Sequence, residues 1–118
     1  MEKIVISLLA FSLVISPVAL ASNPKLSESQ RKELTLFSMK AMGLKVSISD
    51  VKKALPANEV NELIATGINL NDHLCAKVLE VRPLKMKSRY EVKCTSYRGG
   101  TSTKHYIIDA LNGVAFVP

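Results

Sequence analysis

The feature that most constrains this chain is its pair of cysteines, Cys75 and Cys94, the only two in 118 residues. With two thiols a single bridge is possible, so its connectivity is unambiguous. Each cysteine lies on a β-rich run: Cys75 to Leu84 (CAKVLEVRPL) and Arg89 to Arg98 (RYEVKCTSYR) flank the polar turn Lys85, Met86, Lys87 and Ser88. In an antiparallel pair without a bulge, facing residues have a constant index sum. A hairpin centred on Leu84 and Arg89 therefore sets Cys75, Leu79 and Val81 on one face with Tyr90, Val92 and Cys94. That centring puts Cys94 opposite Leu79, so a direct bridge requires the register to slip by several residues or a bulge at Pro83. A third run, Lys104 to Ala110, follows the Gly99-Gly100 break, and Asn112-Gly113 turns the chain into Val114 to Val117. The expectation is an antiparallel meander of three or four strands.

The context of the thiols comes from the other end of the chain. Met1 to Ala21 has a short charged head (Glu2, Lys3), an apolar run from Ile4 to Ile15, a breaker at Pro17 and the small-x-small sequence Ala19-Leu20-Ala21. This is the pattern of a secretory signal peptide cleaved near Ala21. No cysteine follows directly to carry a lipid, and no later segment approaches the roughly 20 apolar residues of a membrane span. The expected mature product is a periplasmic or secreted protein without a transmembrane segment, and in that compartment two cysteines of a small domain form a structural disulfide. Closing a loop of about 20 residues contributes on the order of 3 kcal/mol in the chain-entropy model.

Between leader and β-unit the signals are helical. Ser27 and Gln30 have capping-box spacing ahead of Leu34, Phe37, Ala41 and Met42, and Gly43 ends that pattern. Ser47 and Asp50 repeat the spacing before Val51, Ala54 and Leu55, with Pro56 as the stop. Asn58 is then expected to cap a segment carrying Val60, Leu63 and Ile64 that terminates at Gly67. The sequence thus predicts one α+β domain over residues 22–118, helical over 27–67 and a β-meander over 74–118. The N-terminal helices pack on one side of a small antiparallel sheet stapled by one disulfide, with Leu34, Phe37, Leu63 and Ile64 buried.

Charge separates the halves. Ser22 to Leu74 carries seven Lys and Arg against six Asp and Glu, whereas Cys75 onward carries eight against three. Lys85, Lys87, Arg89, Lys93, Arg98 and Lys104 are therefore candidates for a basic binding face, suited to a partner protein with an acidic surface. Aromatics are not interleaved with these cations as base-stacking platforms, which argues against nucleic acid. His73 and His105 are far apart and have no ligand spacing, so neither a metal nor a cofactor is expected, and His105 is read as a structural hydrogen-bonding residue. Asp109 opens a turn, where an Asx role suffices. Glu80 and Glu91 are read as cross-strand partners on the two β-runs. No GxSxG sequence and no thiol free to pair with a histidine is present, so no catalytic residue is assigned and the expectation is a protein that is not an enzyme.

The stretch Ser49 to Leu55 (SDVKKAL), the Tyr-x-Val core at Tyr90 to Val92, and Tyr106 to Gly113 (YIIDALNG) followed by a short apolar strand together resemble the PepSY-type domain, over roughly Ser47 to Val117. The Asn58 to Gly67 segment and the two cysteines are additions to that pattern. The resemblance implies an exported module of the kind found in peptidase propeptides and as free-standing proteins that bind or restrain peptidases. The functional expectation is a non-enzymatic binding or modulatory protein of the bacterial cell envelope, a peptidase modulator in the first instance. An immunity factor or an adaptor of an envelope or surface assembly is the alternative, and a small secreted enzyme the third class.

Overall fold

The computed structural model describes residues 25–118; the leader assigned to Met1 to Ala21 lies outside the described residues. Helix α1 (Glu28–Ala41) begins as its capping box requires: Ser27 Oγ accepts from the Gln30 amide at 3.1 Å while the Gln30 side chain accepts from the Ser27 amide at 2.8 Å. It ends at Met42, followed by Gly43 at φ 89°. Beyond it the chain departs from expectation. Asp50 does accept a hydrogen bond from the Ser47 amide, at 2.8 Å, but only a single 3-10 turn, Ile48–Asp50, results. Val51 is already extended, at φ −87° and ψ 94°. Two turns at most could fit before Pro56, which disfavours helical geometry at Leu55, and so short a helix is marginal.

Helix α2 spans Ala57–Leu70, and here too the sequence-based boundaries need correction. Pro56 occupies the cap position, so Asn58 lies inside the first turn, and the helix runs through Gly67 rather than ending there. Gly67 is buried because the Phe37 ring of α1 lies against it. Ser38, also fully buried, donates to the Leu63 carbonyl at 2.8 Å, so the two helices are joined by one close apolar contact and one polar tie. Leu34, Phe37 and Ile64 are buried as expected; Leu63 is only half-buried.

The sheet is a four-stranded antiparallel meander in chain order: β1 (Lys77–Pro83), β2 (Arg89–Thr95), β3 (Thr103–Asp109) and β4 (Val114–Phe116). The β1–β2 hairpin is centred as the sequence implied, with Val81 opposite Val92 and Pro83 opposite Tyr90, but the bulge falls between Val78 and Glu80 rather than at Pro83. This has a direct effect on side-chain direction. Val78, opposite Cys94, takes the core position, and Leu79, expected on the face of the cysteines, is 39% exposed. Val81, Val92 and Tyr106 form one core-facing row; Tyr90, Ile108 and Ala115 form another. Together with Leu34, Phe37, Val60, Ile64 and Ile68 they make a single core between the helices and one face of the sheet.

Cys75 and Cys94 are bridged, with their Cα atoms 5.2 Å apart. Cys75 precedes β1, which lets it reach Cys94 although Val78 already sits opposite that residue. Its backbone is held independently: Asn69, near the end of α2, donates to the Cys75 carbonyl and accepts from the Cys75 amide, both at 2.9 Å. No helix among the described residues is long and apolar enough to cross a membrane.

Candidate functional site

The register decides which of the cationic side chains can act together. On the sheet face away from the helices, Glu80 stands opposite Lys93 and Arg82 opposite Glu91, so the two glutamates are not each other's cross-strand partners. Glu91 pairs with Arg82 and also accepts from His105 Nδ1 at 3.1 Å. Arg89 reaches Asp109 at 3.5 Å and covers the Phe116 ring at 5.5 Å from its centroid. Asp109 also accepts from Asn112 at 2.9 Å, the turn-opening role expected of it. This outer face is therefore a ladder of alternating charges that largely satisfies itself.

The six residues proposed as one basic face are thus dispersed. Arg89 and Lys93 belong to the ladder, Lys85 and Lys87 project from the β1–β2 turn, and Arg98 lies in the β2–β3 loop at the opposite end of the hairpin. Lys104 is opposite Cys94 and so projects from the helix side of the sheet, beyond the reach of the core. Among the described residues Lys77, Arg98 and Lys104, like Lys85, Lys87 and Lys93, enter none of these ion pairs, and Lys77, Arg98 and Lys104 belong to the disulfide end of the sheet.

That end opens into a cleft of about 680 Å³ between α2 and β1. Asn58, Asn61, Glu62 and Ala65 of α2 form one wall, Ala76 to Leu79 the other, and Thr95 with Arg98, Gly99 and Gly100 closes the end. A second hollow, of about 270 Å³, continues along β1 past Leu79 to Val81 and is bounded by Lys25, Leu26, Arg31 and Ala57. Asn61 and Leu79 line both. Four cations and two carboxylates, Glu62 and Glu80, stand around the combined groove. At its far end the Arg31 guanidinium donates to the Leu26 carbonyl at 3.3 Å, while its buried Nε has no partner among the described residues.

The sequence reading missed this cleft because its floor depends on Leu79, and nothing in the alternation marks where a bulge will turn that side chain outward. The strand that forms its wall is firmly held. The disulfide and the Asn69 clamp fix the start of β1, and the β1–β2 turn at its other end is tied to α1 through Glu33. That carboxylate accepts from Tyr90 Oη at 2.6 Å and from Ser88 Oγ at 2.8 Å. Burial first, then the hydrogen bond to Glu33 and its negative charge, push the Tyr90 phenol well above its ordinary range. Ser88, at φ 61°, also accepts from the Ala110 amide at 3.0 Å, so one turn residue joins α1, β2 and the end of β3.

The histidines are structural in their contacts. His73 Nε2 lies 3.1 Å from the Ala115 carbonyl and its ring packs 5.0 Å from that of Tyr106, whose hydroxyl donates to the Leu74 carbonyl at 2.9 Å. No group of three His, Cys, Asp or Glu side chains among the described residues stands close enough to hold a metal ion. What the cleft offers chemically is apolar surface from Ala65, Val78 and Leu79, two amide side chains, and positive charge at both ends, which is equipment for holding a ligand. No family model, no curated protein and no solved structure matches the chain.

Proposed function

We propose that the chain is an exported, non-enzymatic binding protein of the bacterial cell envelope that modulates a partner protein through the cleft beside β1. The observation that carries this reading is the contrast between two surfaces. The outer sheet face pairs Arg82, Arg89 and His105 with Glu91 and Asp109 and sets Lys93 opposite Glu80, whereas the cleft combines exposed apolar side chains with Lys77 and Arg98, which have no acidic partner among the described residues. A rigid edge strand next to a cationic, partly apolar groove suits a partner with an acidic, accessible segment. The PepSY resemblance of Ser49 to Leu55, Tyr90 to Val92 and Tyr106 to Gly113 makes a peptidase the first partner to seek. The leader at Met1 to Ala21 and the Cys75–Cys94 bridge both suit action outside the cytoplasm.

The test is a photo-crosslinking amino acid placed at Leu79, in the cleft, or at Lys93, on the outer face, in cells with an intact envelope. A discrete heavier adduct from Leu79 and not from Lys93, containing an envelope hydrolase by mass analysis, is the expected result. Adducts of equal yield from both positions, or none from Leu79, overturn the proposal.

A further inference from the structure

Resting on that reading, we infer that the cleft takes an extended, acidic segment of the partner protein, which adds to the sheet as a fifth strand on the free edge of β1. Among the described residues β1 pairs only with β2, and none of their strands lies on its other edge. In an antiparallel ladder, residues exchange bonds with the neighbouring strand at every second position. Leu84 donates to the Arg89 carbonyl at 2.9 Å, so Arg82 and Glu80 are the next residues bonded to β2, and the Val81 amide and carbonyl face away from it. Pro83, also at an outward position, has no amide to offer there, as is usual for an edge strand.

The groove fits one strand in length and chemistry. Its β1 wall runs from Ala76 to Val81, and six residues of extended chain span about 20 Å. A strand seated there directs alternate side chains toward α2, onto Ala65 and the exposed Leu79. Bulge and proline together limit main-chain pairing to a short stretch around Val81, so affinity must come mostly from these side-chain contacts and from charge. Lys25, Arg31, Lys77 and Arg98 outnumber Glu62 and Glu80 around the groove, which selects Asp or Glu near the ends of the bound segment. A second copy of this chain brings the same excess of cations against it and is the poorer occupant.

The probe is a phage-displayed library of acidic ten-residue peptides selected on the mature, disulfide-bonded protein, with the best binder made synthetically. Three results are expected: hydrogen exchange at the Val81 amide slows on binding, N-methylation of the peptide weakens binding with a period of two, and Lys77→Glu with Arg98→Glu lowers affinity by about tenfold or more. Lys93→Glu, on the outer face, leaves affinity unchanged. The inference is overturned if no selected peptide binds more tightly than about 1 mM, if protection falls on β2–β3 instead of β1, if N-methylation shows no period, or if sedimentation shows a dimer that the peptide dissolves. A Leu79 crosslink to an envelope protein combined with any of these failures would leave the binding function standing and reject only the added strand.

Discussion

Replacing Gly67 with alanine sets two well-calibrated effects against each other. In the interior of α2, alanine is favoured over glycine by about 1 kcal/mol of helix propensity, so on local grounds the substitution stabilises. The packing says the opposite. A Cβ at this position would lie 2.9 Å from Cζ and 3.1 Å from Cδ2 of Phe37, with Cε2 closer still. Carbon atoms in contact prefer about 3.5 to 4.0 Å, so the ring would have to move by a large fraction of an ångström or more. Phe37 is completely buried among Leu34, Ile64 and Ile68, which leaves it nowhere to go without displacing other core atoms. Overpacking of this kind costs about 1 to 3 kcal/mol, and an aromatic ring in a filled site belongs at the upper end. The net expectation is a loss of about 2 kcal/mol, or a melting temperature lower by roughly 8 to 16 °C for a domain of this size. Thermal and urea denaturation followed by circular dichroism measure it, and the Phe37→Leu background supplies the control. With the ring gone, Gly67→Ala should become neutral or stabilising, giving a coupling energy of about 2 to 3 kcal/mol. A raised melting temperature for Gly67→Ala alone would refute the argument, since propensity would then be acting without the close approach of α1.

Other expectations are simpler. Replacing Cys75 and Cys94 together with alanine should lower stability by about 3 kcal/mol, given their separation of 19 residues, and both cysteines should resist thiol labelling under denaturing, non-reducing conditions. Phe37→Ala should cost about 3 to 5 kcal/mol by urea titration; an unchanged midpoint would show α1 to be loosely attached. Because Tyr90 ionises less readily when folded than when unfolded, its contribution is fully present below the unfolded value of about 10 and is lost as pH rises beyond it. Stability should therefore fall more steeply above about pH 10 in the natural protein than in Tyr90→Phe, and equal slopes would reject the assignment. Protein recovered from the envelope should begin at Ser22, and an intact mass retaining Met1 would contradict the leader assignment.

Legibility in the sequence tracked the range of the interactions involved. The Ser27–Gln30 capping box, the Gly43 stop, the Asn112-Gly113 turn and the Leu84–Arg89 centring are local, and all four stand as read. Gly67 reads as a stop, yet the helix continues to Leu70, because a glycine in a helical pattern looks the same whether it ends the helix or admits a ring from another one. Ser47 and Asp50 made their local hydrogen bond, yet no helix followed, since Pro56 is too close for propagation to repay nucleation. Alternation places Leu79 on the face of the cysteines because it runs on unbroken, whereas the register shifts at a bulge between Val78 and Glu80 that alternation does not mark. The basic residues were visible as a count, but the count says nothing of the acids opposite them. Asp109 pairs with Arg89 and Glu80 stands opposite Lys93, and the remainder of the set is divided between the two ends of the sheet.

The β3–β4 turn governs how the fold is completed. Gly113, at φ 68°, sits so near the end of α1 that a Cβ there would lie 3.0 Å from the Ala41 nitrogen and 2.6 Å from Lys40 Cβ, and its carbonyl accepts from Asn71 at 3.2 Å. One glycine thus joins the last hairpin to both helices, across 42 residues in one case and more than 70 in the other. Loop-closure entropy makes contacts of such sequence separation the costliest to gather, so they are expected to form after the helix pair and the β1–β2 hairpin. The turn is then a latch rather than a seed: Gly113→Ala should speed unfolding in a chevron experiment while leaving the folding limb nearly in place, so that the persistence of the native state, more than its formation, hangs on a residue with no side chain.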